Sequence, residues 1–224
     1  VEAGVSGVVF DLDGTLIDSA PDIHLAANEV LRAEGLGELD LPTVRSFIGN
    51  GVAVLISRCI EAVGAEETPQ LHAHLSREFL RIYEGEPRLT RLYPGAEEAI
   101  RTLKGQGYRV GLCTNKPEAA TAAVLEHFGV LDLFDALVCG DTLPARKPDP
   151  APLRHAIEEL SVRRVAYVGD SEVDAETAER AKVAFALYTG GYRKAPVEAL
   201  YHDARFDHFD ELPPIVNRLA PPPE

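Results

Sequence analysis

A chain of 224 residues, 46% of them hydrophobic and 26% charged, suffices for one large domain or a core with a smaller insertion, and excludes wholesale disorder. Its 22 basic against 36 acidic residues give a formal net charge of −14, which excludes a nucleic-acid backbone as main partner and demands a local cation for any anionic substrate. No apolar run is long enough to span a bilayer, no basic-then-apolar leader stands at Val1, and Cys59, Cys113 and Cys139 form no CxxC pair, so a cytoplasmic protein without membrane contact, disulfide framework or cysteine zinc site is expected.

Residues 7–11 (GVVFD) form a short apolar run bounded by Gly7 and by Asp13-Gly14, which predicts a buried parallel strand. Similar runs stand at 108–113, 136–139, 165–168 and 184–188. Helical patterns at 95–104, 118–127, 151–160 and 172–181 lie between them. Strand–helix alternation with short loops predicts an α/β fold with a doubly wound parallel sheet. The stretch 21–93 does not alternate. It reads as consecutive helices over 22–33, 41–47, 52–63 and 69–84, the last started by Thr68 as N-cap and Pro69 at the first helical position. No strand-like run interrupts them. The expected organisation is a core of residues 1–18 and 93–224 with an inserted α-helical domain over 19–92. The tail APPPE after Leu219 cannot continue a helix and is expected to fray.

Four strand ends carry chemistry. After the first come Asp11-Leu12-Asp13-Gly14-Thr15. Residues two apart on a strand point the same way, so Asp11 and Asp13 can converge, and Gly14 permits a sharp turn. Two carboxylates at the carboxyl end of a parallel strand either bind a cation or divide nucleophilic and acid–base labour; the alternative is a plain turn and helix cap. After the second strand, Thr114 offers a hydroxyl to a phosphate oxygen and Asn115, at the anion-binding start of the next helix, is a further candidate to bind substrate, with Lys116 beyond it; the alternative is a plain Thr/Asn helix cap. Cys113 reads as a buried small hydrophobe. Lys147, in a loop stiffened by Pro148 and Pro150, is the candidate cation for a phosphate, with Lys116 a weaker competitor. Asp170 ends a further strand, and Asp174 stands four residues on, on the same helical face, suited to ligating a hard cation and to orienting a water or Lys147. The alternative there is that Asp170-Ser171 caps the helix. Acidic groups, one hydroxyl and one lysine on the same side of a sheet are what phosphoryl transfer through an aspartyl phosphate with magnesium requires.

In this order, Asp11–Thr15, Thr114, Lys147 and Gly169–Asp174 resemble the four motifs of the haloacid dehalogenase superfamily, with a helical cap between the first and second. Residues 11–31 (DLDGTLIDSAPDIHLAANEVL), 44–52 (VRSFIGNGV) and Tyr93-Pro94-Gly95 are similar to the bacterial phosphoglycolate phosphatases within it. The resemblance implies Mg²⁺-dependent hydrolysis of 2-phosphoglycolate to glycolate and phosphate. It implies Asp11 as nucleophile, and Asp13 as acid and then base. Asp11, the Asp13 backbone carbonyl and Asp170 would be metal ligands, and Thr114 and Lys147 would stabilise the phosphoryl oxygens. Asp174 would be in support. The cap would choose the substrate, with Arg45 as a candidate partner for a carboxylate and Asn50 in a glycine-containing loop; a surface role for Arg45 is the alternative. The partner expected is a small phosphorylated metabolite, with the protein a monomer or a homodimer. Rival activities on the same scaffold are a phosphatase of another small ester, of a nucleotide or of pyrophosphate, and a β-phosphoglucomutase-like phosphomutase. A phosphonate-cleaving relative would need a Schiff-base lysine in the cap, and the first lysine in the chain is Lys104.

Overall fold

The computed structural model describes residues 6–222. The first apolar run is β1 (Ser6–Phe10), buried along its whole length. A two-residue β2 (Ile17–Asp18) leads into four successive helices: α1 (Ala20–Ala33), α2 (Leu41–Arg45), α3 (Val52–Ala62) and α4 (Pro69–Tyr83). The chain returns through β3 (Arg91–Leu92) and alternates from there: α5 (Ala96–Gly105), β4 (Arg109–Cys113), α6 (Glu118–His127), β5 (Ala136–Val138), α7 (Ala151–Leu160), β6 (Arg164–Gly169), α8 (Glu172–Ala181) and β7 (Ala184–Tyr188). It closes with β8 (Ala204–Phe206) and α9 (Leu212–Leu219).

Six strands form one sheet in the order β5-β4-β1-β6-β7-β8, and every pairing in it is parallel. β1 is central. The chain first builds outward through β4 and β5, then crosses back to lay β6, β7 and β8 on the other side. The strand order reverses at β1, so the crevice beyond its carboxyl end is where such a sheet holds a ligand. Apolar side chains cover both faces: Val8, Phe10 and Val110 belong to one buried cluster, Val9, Tyr167 and Phe185 to the other. This is the expected doubly wound α/β architecture. Helices α1–α4 surround a third cluster of their own, which includes Ile23, Leu31, Val44, Ile56, Ile60 and Phe79. Thr68 caps α4 as the sequence predicts, its side chain accepting from the Leu71 amide at 3.1 Å.

Three features depart from the sequence reading. The stretch 21–93 does contain a strand, since β3 pairs antiparallel with β2 where the chain leaves and re-enters the sheet region. A two-residue strand has no period to detect. β8, with three residues, is nearly as short, and it is held by its parallel register against β7. The tail does not fray at Leu219. Ala220 is fully buried and its carbonyl accepts from the Tyr108 hydroxyl at 2.7 Å, while the Pro221 carbonyl accepts from the Ser6 hydroxyl. Residues 223–224 lie outside the described residues. Among the described residues no helix is long and apolar enough to cross a membrane.

Candidate active site

Because the strands are parallel, their carboxyl ends open on one side, and the motifs that follow them meet there. Asp11 comes directly after β1 and its amide extends the ladder to the Val168 carbonyl at 2.8 Å. Thr114 does the same after β4, donating to the Val138 carbonyl at 2.9 Å. Asp170 follows β6. Lys147 lies in the loop between β5 and α7, and Asn115 fixes that loop: its Oδ1 accepts from the Lys147 amide at 3.0 Å and its Nδ2 donates to the Lys147 carbonyl at 2.9 Å.

Lys147 is the electrostatic centre. Its Nζ donates to Asp11 Oδ1 at 2.7 Å, to Asp174 Oδ1 at 2.7 Å and to the Tyr167 hydroxyl at 2.9 Å, which uses all three ammonium hydrogens. Burial alone would push its pKa down, but the charges of Asp11 and Asp174 outweigh that and hold it above the ordinary lysine value. Asp174 also receives Tyr167 on Oδ1, and its Oδ2 accepts from the amides of Asp170 and Ser171 and from the Ser171 hydroxyl. Burial pushes this carboxyl up, yet the charge of Lys147 and the hydrogen bonds win and leave it below the usual range. Asp174 therefore stays ionised, positions Lys147 and anchors the start of α8 together.

Asp170 is the opposite case. Thr15 donates to its Oδ1 at 2.7 Å and the Tyr192 amide to its Oδ2 at 2.5 Å, yet burial, with the charges of Asp174 and Asp11 added, drives its pKa well up. Burial and the charge of Asp174 likewise raise Asp11, against the pull of Lys147. The backbone packs closely around Asp170. A Cβ on Gly14, whose φ is +89°, would stand 2.6 Å from Asp170 Oδ2, and one on Gly191 would stand 2.2 Å from it. Only glycine fits either place. Carboxylate oxygens of Asp11, Asp170 and Asp174 lie within 4.8 Å of one another. One lysine leaves this buried set electron-rich, with Asp11 and Asp170 both destabilised as anions. The arrangement is compatible with a divalent cation. The Asp13 carboxylate is not in the cluster; the sequence reading had assigned its backbone carbonyl to the metal.

The Asp13 carboxylate has partners of its own. Its Oδ1 accepts from the Ser19 hydroxyl at 2.5 Å and from Lys116 Nζ at 3.2 Å. Lys116 is itself hydrogen-bonded to the hydroxyl of Tyr83, at the end of α4. A small cavity of about 50 Å³ lies over these groups, with Asp11, Asp13, Thr114, Lys147 and Asp170 on the sheet side and Ile23, Leu55 and Phe79 on the helical side. Asn115 lines it too, but its amide is also bonded to Gly49 of the helical segment, at 2.9 Å. Gly49 and Gly51 line the cavity, whereas Arg45 and Asn50 are not among its lining residues. Arg45 Nη2 donates to the Gly191 carbonyl at 3.0 Å, with the guanidinium 4.8 Å over the Tyr192 ring. Cys113 is fully buried, and burial pushes its thiol up to about 12, so it is inert.

Two participants were not singled out from sequence. Tyr192 holds Asp170 by its amide, and its hydroxyl accepts from the amides of Ser19 and Ala20 at 2.8 and 2.9 Å and donates to Asp18 at 2.7 Å. The signal available was Gly190-Gly191 directly after a strand and its loop residue. Tyr83 had none, being one aromatic on an amphipathic helix.

The family model for haloacid dehalogenase-like hydrolases matches residues 8–188. A phosphoglycolate phosphatase of Cereibacter sphaeroides is 55% identical over 214 residues, covering 95% of this chain and 98% of its own. One of Rhodobacter capsulatus is 41% identical over 209 residues, covering 93% and 95%. A crystal structure named as a predicted phosphoglycolate phosphatase from Haemophilus somnus superimposes with a TM-score of 0.88 at 33% identity, over 94% of this chain and 97% of the other.

Proposed function

The chain belongs to the haloacid dehalogenase-like hydrolases, and from that premise we propose that it hydrolyses 2-phosphoglycolate to glycolate and phosphate. The observation that carries this is the convergence of Asp11, Lys147, Asp170 and Asp174 at the strand-order reversal, beside Asp13 and Thr114. The names of the relatives support the choice of ester.

Lys147 binds Asp11 Oδ1, which leaves Oδ2 to attack phosphorus. The bond from phosphorus to the ester oxygen breaks, and Asp13 gives its proton to the departing alkoxide. Water then attacks the phosphoaspartate, Asp13 takes up the proton, and the Asp11 carboxylate is restored as phosphate leaves. Thr114 presents its hydroxyl to the phosphoryl oxygens. Lys147, with its own hydrogen bonds engaged, acts through its charge and by holding Asp11 in line. Asp11, Asp170 and the Asp13 carbonyl would hold Mg²⁺, which all-oxygen ligands suit, and the ion would neutralise charge on the transferring group. Residues 19–92 serve as a cap that excludes water from this chemistry. Three buried free thiols, Cys59, Cys113 and Cys139, suit a reducing cytoplasm, where the enzyme works on a small metabolite as monomer or homodimer.

A panel of phosphate esters assayed with Mg²⁺ tests the reading. 2-Phosphoglycolate is expected to rank first by kcat/KM. A hexose phosphate, nucleotide or pyrophosphate that clearly outranks it overturns the substrate and spares the reaction class.

A further inference from the structure

A carboxylated phosphate ester brings two anionic ends, and the site must meet both. Two cations line the cavity, Lys147 and Lys116. Lys147 is committed: Asp11, Asp174 and Tyr167 take its three hydrogens. Lys116 is not. Among the described residues its Nζ has two hydrogen-bond partners, Asp13 and the Tyr83 hydroxyl, which leaves one N–H of the ammonium without a protein acceptor. Its side chain is only 3% exposed, and the Tyr83 ring backs the charge with its centroid 3.9 Å away. Among the described residues its one anionic partner is Asp13, and a buried ammonium with an unused N–H is suited to take a second anion. Arg45, the arginine that the sequence suggested for a carboxylate, is engaged with Gly191 and Tyr192.

Position points the same way. Asp13 is the group that meets the ester oxygen, and Lys116 Nζ sits 3.2 Å from Asp13 Oδ1. In a phosphate ester of a 2-hydroxy acid, the carboxylate is one carbon removed from that same oxygen. An ester seated with its bridging oxygen at Asp13 therefore delivers its carboxylate to the neighbouring cation. The Lys116 amide, moreover, donates to Thr114 Oγ1 at 3.2 Å, so the backbone that carries Thr114 also sets Lys116. Tyr83 arrives from α4, across the seam between the helical segment and the sheet. We propose that Lys116, steadied by Tyr83, binds the substrate's carboxylate and gives the enzyme its preference for phosphate esters of small 2-hydroxy acids. This rests on the reading of 2-phosphoglycolate as substrate.

The test compares kcat/KM for 2-phosphoglycolate with that for ethyl phosphate, which has the same two-carbon frame and no carboxylate, in wild type, Lys116→Met, Lys116→Arg and Tyr83→Phe. Loss of one charge-assisted contact lowers the ratio of the two by about 10- to 100-fold in Lys116→Met. Lys116→Arg keeps most of the ratio, and Tyr83→Phe lowers it less than Lys116→Met does. Ratios in Lys116→Met within about threefold of wild type overturn the assignment, whether both activities fall or neither does, because a general role beside Asp13 moves the two esters together. Should Lys116→Met fail to fold, as read by its thermal unfolding, Tyr83→Phe decides: a wild-type ratio there overturns the proposal. Wild-type enzyme that prefers ethyl phosphate overturns the substrate reading itself, a result distinct from loss of the Lys116 effect alone.

Discussion

Lys147→Met is the most informative perturbation of the buried charge cluster. The wild-type ammonium is 2% exposed and 2.7 Å from carboxylate oxygens of both Asp11 and Asp174. Each contact is worth about 6 kcal/mol of attraction at an effective dielectric near 20, before the cost of desolvating three charges is set against it. Methionine keeps the length of the side chain and removes the charge, so Asp11 and Asp174 are left facing each other in a dry site. The loss of stability expected for breaking a buried pair is about 3–5 kcal/mol. The assay is urea unfolding near neutral pH in EDTA, on wild type, Lys147→Met, Asp11→Asn and the double variant. In the Lys147→Met background nothing offsets the burial and the charge of Asp174 that oppose ionisation of Asp11, and Asp11→Asn removes that carboxyl. It should therefore stabilise by about 1–3 kcal/mol more than it does in wild type. Turnover with Mg²⁺ by Lys147→Met should fall at least about 10²-fold, the scale of one lost stabiliser of transition-state charge. If the two substitutions add to within about 0.5 kcal/mol, Lys147 and Asp11 are not coupled, and the electrostatic account of the cluster is wrong.

Asp11→Asn alone should abolish turnover and leave the fold intact. Its metal-free unfolding midpoint should equal or exceed that of wild type, because a buried anion raised in pKa by burial and by Asp174 is removed; normal turnover in this variant would refute the nucleophile. EDTA should silence the enzyme. Adding Mg²⁺ at about 100 times its Kd should stabilise it by about 2.7 kcal/mol, a rise in Tm of about 5–10 °C for a chain of this size; activity that persists in EDTA, or an unmoved Tm, speaks against a metal at Asp11 and Asp170. Asp22 ties α1 to the segment before β3, accepting from the amides of Arg88 (3.1 Å), Leu89 (3.1 Å) and Thr90 (2.8 Å) and from the Thr90 hydroxyl (2.6 Å). Burial raises its pKa but these donors outweigh it, and the carboxyl stands below its ordinary value. Its stabilisation is thus complete above the unfolded value of about 3.9 and is lost as pH falls through the folded one. Asp22→Ala should cost about 1–2 kcal/mol at neutral pH, and the gap from wild type should narrow as pH falls below the unfolded value; a gap that does not change with pH refutes the electrostatic part of the account.

The convergence of the site's groups was legible in the sequence because each motif is local. Asp11 and Asp13, Thr114, Lys147, and Asp170 with Asp174 each stand in a few consecutive residues at a strand end, and a parallel sheet turns all such ends to one side. The sheet was legible for the same reason, since β1, β4, β6 and β7 are short apolar runs between amphipathic helices. What tertiary structure decided is which of these groups are satisfied. Asn115 and Arg45, read as substrate contacts, have polar groups bonded across the fold to Lys147, Gly49 and Gly191. Lys116, a weak competitor on paper, is the buried cation with a hydrogen bond to spare. Tyr83 and Tyr192 bond to partners 33 and 174 residues away, and β2, β3 and β8 exist only through their pairing. A hydrogen bond depends on distance in space, and the linear order of residues carries that distance only where the chain itself supplies it.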